Sequence, residues 1–272
     1  MEKNQSSATA LRGAVSAHEL AITYIGGPTA ILSIDGLRFI TDPTFDPAGG
    51  TYASGAVSLH KTQGPALERA AVGSIDVALV SHDQHADNLD HGGRELLHDV
   101  PHVLTTKIGA SRLGGRTIGL DPWESWTVRS PRGTTLKVTA TPARHGPVGI
   151  EPIAGDVVGF VISAVESNTD LAYATGDTVW YEGTREVARR FRPRVVLLFA
   201  GGAQVRGPFY LTMNTNDAIE AAEAFKDSVL VPVHHEGWAH FTQSQDDLQT
   251  TFGALGMGGR LRRVKGGETQ RF

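Results

Sequence analysis

Two imidazoles and three carboxylates fall within nine residues of this chain, in His82-Asp83-Gln84-His85-Ala86-Asp87-Asn88-Leu89-Asp90. Such a run makes poor helix or strand and is costly to bury unpaired, so it predicts a cation-binding loop. Three further segments each offer one candidate ligand: Thr141-Pro142-Ala143-Arg144-His145, Thr175-Gly176-Asp177-Thr178 and Pro232-Val233-His234. Cysteine is absent. Imidazole and carboxylate without thiolate suit zinc, and also manganese or iron. The same absence excludes disulfides, iron–sulfur clusters and cysteine nucleophiles. A divalent ion held by such donors lowers the pKa of a bound water, and hydrolysis is the chemistry this opens.

What must position these residues is a set of strand ends, where a rigid scaffold delivers side chains to a common point. Short apolar runs predict strands over 75–80, 135–141, 171–174 and 228–233, and they lead to His82, His145, Asp177 and His234 in turn. Strands are also predicted over 21–25, 30–34 and 37–41, with Asp35-Gly36 as a two-residue hairpin turn. Further strands are read at 103–106, 157–164, 195–199 and 261–264. Helices are read at 94–98, 108–113, 182–191, 216–225 and 246–252. Residues 47–65, rich in glycine, read as a long loop. Strands first, then strands alternating with helices, predict two mixed sheets with helices on their outer faces.

The 272 residues are 40% hydrophobic and 20% charged, enough to bury a sizeable core. A net charge of −4 argues against nucleic acid or an anionic membrane as partner. No stretch approaches the ~18 apolar residues that would make an integral membrane segment. The expected organisation is a polar leader over residues 1–19 and one domain over 20–272, in a cytoplasmic protein acting on a small molecule. A homo-oligomer is left open.

In this order and spacing the segments resemble the metallo-β-lactamase-fold hydrolases. Within them they resemble the branch of ascorbate-6-phosphate lactonase-like proteins and the N-acylphosphatidylethanolamine phospholipase D. The likeness runs from about Ala21 to Val264. Tyr24-Ile25-Gly26-Gly27-Pro28-Thr29 and Ile40-Thr41-Asp42-Pro43 resemble that branch's first hairpin, Ser81-His82 the start of its H-x-H-x-D-H loop, and Thr175-Gly176-Asp177-Thr178 its Gly-Asp-Thr. The resemblance implies a four-layer αββα sandwich of two mixed β-sheets holding one or two divalent metal ions, zinc first. It implies that His82, His85 and His145 hold one ion, that Asp87 and His234 hold a second, and that Asp177 bridges them. A water activated there would open a lactone, ester or cyclic amide, with Asp87 orienting it and protonating the leaving group.

The chain departs from the pattern in three places. Matching Asp87-Asn88-Leu89-Asp90 to the branch's D-H-L-D requires one inserted residue and puts Asn88 where a histidine ligand belongs. The second site is then one ligand short, unless Asn88, His91, His235 or water fills it; Asp83 is a further candidate beside the loop. Thr212 stands where the branch often carries histidine. After His234 the chain reads His235-Glu236-Gly237-Trp238-Ala239-His240-Phe241, which implies a different pocket wall. Arg144 and Arg206 are candidates to hold an anionic substrate group, and Trp123, Trp180, Tyr181 and Trp238 are candidate wall aromatics. Two other readings stay open: a phosphodiesterase on a small-molecule or lipid phosphodiester, and a metal-binding protein that has lost turnover.

Overall fold

The computed structural model describes residues 18–272, so most of the expected leader over 1–19 lies outside the described residues. The chain opens with β1 (Leu20–Gly26), β2 (Thr29–Ile34) and β3 (Leu37–Thr41). A small hairpin of β4 (Thr51–Ser54) and β5 (Val57–His60) follows, then α1 (Arg69–Val72) and β6 (Val77–Leu79). Next come α2 (His91–Leu97), β7 (His102–Thr105), α3 (Lys107–Leu113), β8 (Thr117–Gly119) and β9 (Ser125–Arg129). The middle of the chain holds β10 (Thr135–Pro142), α4 (Glu151–Ala154), β11 (Val158–Ala164) and β12 (Thr169–Ala174). It ends with α5 (Glu182–Arg190), β13 (Val195–Phe199), α6 (Thr215–Ala224), β14 (Val229–Val233), α7 (Gln245–Ala254) and β15 (Thr269–Arg271).

Two large mixed sheets result. One runs β15-β1-β2-β3-β6-β7-β8 and the other β14-β13-β12-β11-β10-β9. In the first, β15 to β3 pair antiparallel and β3 to β8 parallel. The second is parallel from β14 to β12 and antiparallel from β12 to β9. The turn at Asp35-Gly36 has both residues at positive φ, 48° and 89°, and Ile34 faces Leu37 across it. That is the mirror-image turn whose twist matches the flanking strands.

Strands covered on both faces need apolar residues at every position. In β13, Val195, Leu197 and Phe199 enter the core between the sheets, while Val196 and Leu198 face outward to α5, α6 and α7. There they meet Val187, Ala221 and Leu248. The outer face of the first sheet is likewise covered, with Ile40 and Ala78 packing near Val72 of α1 and Leu96 of α2. Helix, sheet, sheet, helix is the expected four-layer αββα order.

Some expectations fail. Residues 47–65 are not wholly loop, because they contain the β4–β5 hairpin, whose strands pair only with each other. The strand expected at 261–264 is reduced to one bridge, Leu261 to Leu230, and the chain pairs with β1 later, through β15. Strands β8 and β9 were not read from the sequence; both sit at sheet edges with no fully buried residue. Among the described residues no helix is long and apolar enough to cross a membrane.

Candidate metal centre

Strand direction explains why the candidates meet. Strands β12, β13 and β14 are parallel, and β10 lies antiparallel to β11, which is antiparallel to β12. The C-terminal ends of β10, β12 and β14 therefore share one edge, and His145, Asp177 and His234 follow those ends. The first sheet contributes from β6, whose exit is tied down by Asp42: its carboxylate accepts the Ser81 amide N–H at 2.6 Å. Asp42 has φ 30° and His234 φ 56°, left-handed conformations that cost an ordinary residue energy and are held by the surroundings. For His234 part of the hold is its own amide, which donates to the Gly27 carbonyl at 2.6 Å.

Two groups of ligand atoms form, each with its members within 4.8 Å of one another: His82, His85 and His145, and Asp87, Asp177 and His234. In the first, His85 Nδ1 lies 2.9 Å from His82 Nε2 and 3.2 Å from His145 Nε2. Three ring nitrogens converge on one point. On two of the three rings the opposite nitrogen has a partner. His145 Nδ1 donates to the Leu211 carbonyl at 2.9 Å, and His82 Nδ1 meets the Ser81 hydroxyl at 3.0 Å. At His145 the carbonyl, which can only accept, sets the tautomer that leaves Nε2 as a lone-pair donor. Burial, then the neighbouring imidazoles, hold His85 down at about 4 and His82 well below the usual histidine range, so both rings stay neutral and able to ligate.

The second group is anionic. Asp177 Oδ1 accepts from His234 Nδ1 at 2.7 Å, while its Oδ2 lies 3.6 Å from His145 Nε2, so one carboxylate faces both groups. Asp87 Oδ2 lies 3.6 Å from His234 Nε2. Burial alone would raise both carboxyls, but hydrogen bonding and charge from His234 outweigh it, joined by His240 at Asp87 and by His145 and His82 at Asp177; both are held low. For His234, burial lowers and the Asp177 carboxylate raises; the carboxylate wins, and the ring is pushed up to about 10. Asp87 Oδ1, Asp177 Oδ2 and His234 Nε2 are buried with no hydrogen-bond partner among the described residues. Two buried carboxylates with idle oxygens beside idle imidazole nitrogens fit divalent ions.

The other candidates are placed differently. Asn88 is fully buried and donates to Asp177 Oδ1 at 3.2 Å. Asp83 is taken by Arg112, whose Nε donates at 2.8 Å, and His91 is exposed and bound to Asp46 at 3.0 Å. His235 turns toward Tyr24, with ring centres 6.1 Å apart. Arg144 stacks over Tyr181 at 4.6 Å, Trp123 lies under Arg190, and Trp180 packs on Phe225. Trp238 is buried between Tyr52 and His240. None of these lines the cavity at the centre. That cavity, ≈ 440 Å³ of empty space open to solvent, reaches His85, Asp87, His145 and His240. Its walls are Val57 and Leu59 of the hairpin, Ile150 and Ile153 at α4, Val205 and Leu211, with Arg206 as the one cationic side chain among the described residues of the lining.

The sequence reading missed His240 as a site residue. Its Nε2 lies 2.9 Å from Asp87 Oδ2, and its Nδ1 is buried without a partner among the described residues. The available signal was a second histidine six positions past His234, inside the stretch already noted as departing from the pattern.

A family model described as the beta-lactamase superfamily domain matches residues 37–235. An uncharacterized protein of Mycobacterium tuberculosis is 29% identical over 237 residues, covering 83% of this chain and 60% of its own. The chain thus spans about 60% of the length of the first curated relatives it matches. A protein of Methanosphaerula palustris named UPF0173 metal-dependent hydrolase is 28% identical over 178 residues, 63% of this chain and 73% of that one. Among solved structures, the isothiocyanate hydrolase from Delia radicum gut bacteria superposes with a TM-score of 0.77 at 20% identity, covering 93% of this chain and 99% of that one. At that identity the likeness is one of fold.

Proposed function

Given that the chain belongs to the metallo-β-lactamase superfamily, we propose that it is a metal-dependent hydrolase that opens a lactone, ester or cyclic amide of a small molecule. Zinc is the proposed ion, and residues 20–272 the proposed catalytic unit. The observation that carries the reading is the pair of ligand groups sharing Asp177 beside an apolar cavity. His82, His85 and His145 would hold one ion, Asp87 and His234 another, with Asp177 facing both. When bound, such ions supply an activated water and polarise the scissile carbonyl. Asp87, with one oxygen idle, orients the attacking water, takes its proton and returns it to the leaving group. Arg206 steers a polar or anionic group of the substrate, and the aliphatic walls take its apolar part.

The lining favours an uncharged scissile group. A phosphodiester calls for several cationic or N–H donors, and among the described residues Arg206 is the single charged donor side chain there apart from the histidines. The test is a panel of lactones, esters and cyclic amides, with bis-p-nitrophenyl phosphate, offered to zinc-loaded protein. Turnover of a carbonyl substrate that chelation abolishes is the expected result. Turnover of the phosphodiester alone would overturn the substrate class, and none by fully metallated protein would overturn the hydrolase reading.

A further inference from the structure

The second ligand group is the weaker half of the centre, because position 88 offers an amide in place of an imidazole. Asn88 Nδ2 donates to Asp177 Oδ1 at 3.2 Å, and among the described residues its amide oxygen has no hydrogen-bond partner. Another imidazole reaches Asp87 of that group from a different part of the chain. His240, in the turn after β14, puts Nε2 2.9 Å from Asp87 Oδ2, the oxygen that also lies 3.6 Å from His234 Nε2. A contact of this length recurs between two other candidate co-ligands, 2.9 Å for His82 Nε2 with His85 Nδ1.

His240 is held in place as a ligand must be. Its ring packs against Phe241 at 4.6 Å between centres, and Phe241 in turn packs on His234 at 4.7 Å, so one aromatic side chain positions both imidazoles. Trp238 lies on its other side at 6.3 Å. Backbone bonds lock the segment: Ala239 N donates to the His60 carbonyl at 3.0 Å, and Gln204 N to the His240 carbonyl at 3.0 Å.

We propose that His240 supplies to the second ion the imidazole that Asn88 cannot, so that Asp87, Asp177, His234 and His240 form its donor set. Nitrogen in place of an amide oxygen gives that site a zinc-type ligand. The proposal rests on the metal-dependent reading above, and its test reads metal content alone.

Wild type, His240→Ala, His240→Gln and Asn88→Ala are loaded with zinc, dialysed, and assayed for zinc per chain, with a thermal melt to establish folding. Wild type and Asn88→Ala are expected to keep two equivalents. Both His240 variants are expected to keep one and lose the other. Glutamine can still donate a hydrogen bond to Asp87 but cannot replace an imidazole on zinc. Two equivalents in His240→Gln would therefore show that His240 only braces Asp87, and would overturn the proposal. Loss of the second equivalent in Asn88→Ala but not in the His240 variants would overturn it in favour of Asn88. A wild type holding one equivalent would also overturn it while leaving the first ion and the hydrolase reading standing. A wild type holding none would remove both.

Discussion

Replacing Asp90 by alanine should cost far more than its position outside the ligand groups suggests. Asp90 is 1% exposed and Lys61 4%, and Lys61 Nζ donates to Asp90 Oδ2 at 2.7 Å. The same carboxylate accepts the amides of Phe45 at 2.8 Å, Asp46 at 2.7 Å and Gly93 at 2.8 Å, the last as N-cap of α2. It thereby ties the His82–Asp87 loop to the segment after β3 and neutralises an ammonium that has left water. Removing one partner of a buried pair costs about 3–5 kcal/mol, and losing an N-cap about 1 kcal/mol. The two effects share one carboxylate and do not simply add, so about 4 kcal/mol is expected. At about 2–4 °C per kcal/mol for a chain of this size, Tm should fall by about 8–16 °C. The assay is a thermal melt with urea unfolding, both on metal-free protein. Adding Lys61→Met should recover part of the loss, because the stranded charge is then gone. A loss below about 1 kcal/mol, or no recovery in the double variant, would refute the argument.

Asp87→Asn keeps the shape and removes the base. Its kcat should fall about 10²–10⁴-fold while at least one zinc stays bound, and full activity would remove Asp87 from the chemistry. In Gly201→Ala the new Cβ would lie 2.2 Å from the His234 carbonyl oxygen and 2.8 Å from His235 Cα. The end of β14 must shift, which should cost about 1–3 kcal/mol and weaken zinc binding; wild-type stability and zinc content would contradict this. Acid should destabilise the metal-free protein as His85 takes up a proton. His85 sits at about 4 when folded and 6.5 when unfolded, so the unfolded chain binds the extra proton between those values. The stability it contributes, about 3 kcal/mol, is full above 6.5 and is lost as pH falls from 6.5 toward 4. His234, pushed up to about 10, acts oppositely: its share is full below 6.5 and is lost as pH rises through 10. Urea midpoints of metal-free protein that stay flat between pH 6.5 and 4 would contradict the His85 argument.

Features set by local chemistry could be read in advance. The unbroken run Val195–Phe199 is a strand over those same residues because both its faces are covered. Asp35-Gly36 turns a hairpin because both residues tolerate positive φ. Features set by distant packing were not legible. The β4–β5 strands carry only weak alternation among glycines, and β15 is a polar edge that pairs with β1 about 250 residues away in sequence. At the centre, the segments that lead to His82, His145, Asp177 and His234 announce themselves as strands that stop at a ligand-type residue. Side-chain direction does not: Arg144 and Trp180 follow two of those ends yet turn away to Tyr181 and Phe225. Arg206, carried by a loop, lines the cavity instead. His240 belongs to the same class, since only the fold brings it back to Asp87.

X-ray absorption at the zinc edge of the loaded protein would look at the ions themselves. A first shell of nitrogen and oxygen alone is predicted, with nitrogen at about 2.0–2.1 Å, clear imidazole scattering, and a zinc–zinc vector of about 3.5–4 Å. Zinc surrounded by oxygen with no imidazole signal, or protein that retains no zinc, would contradict it.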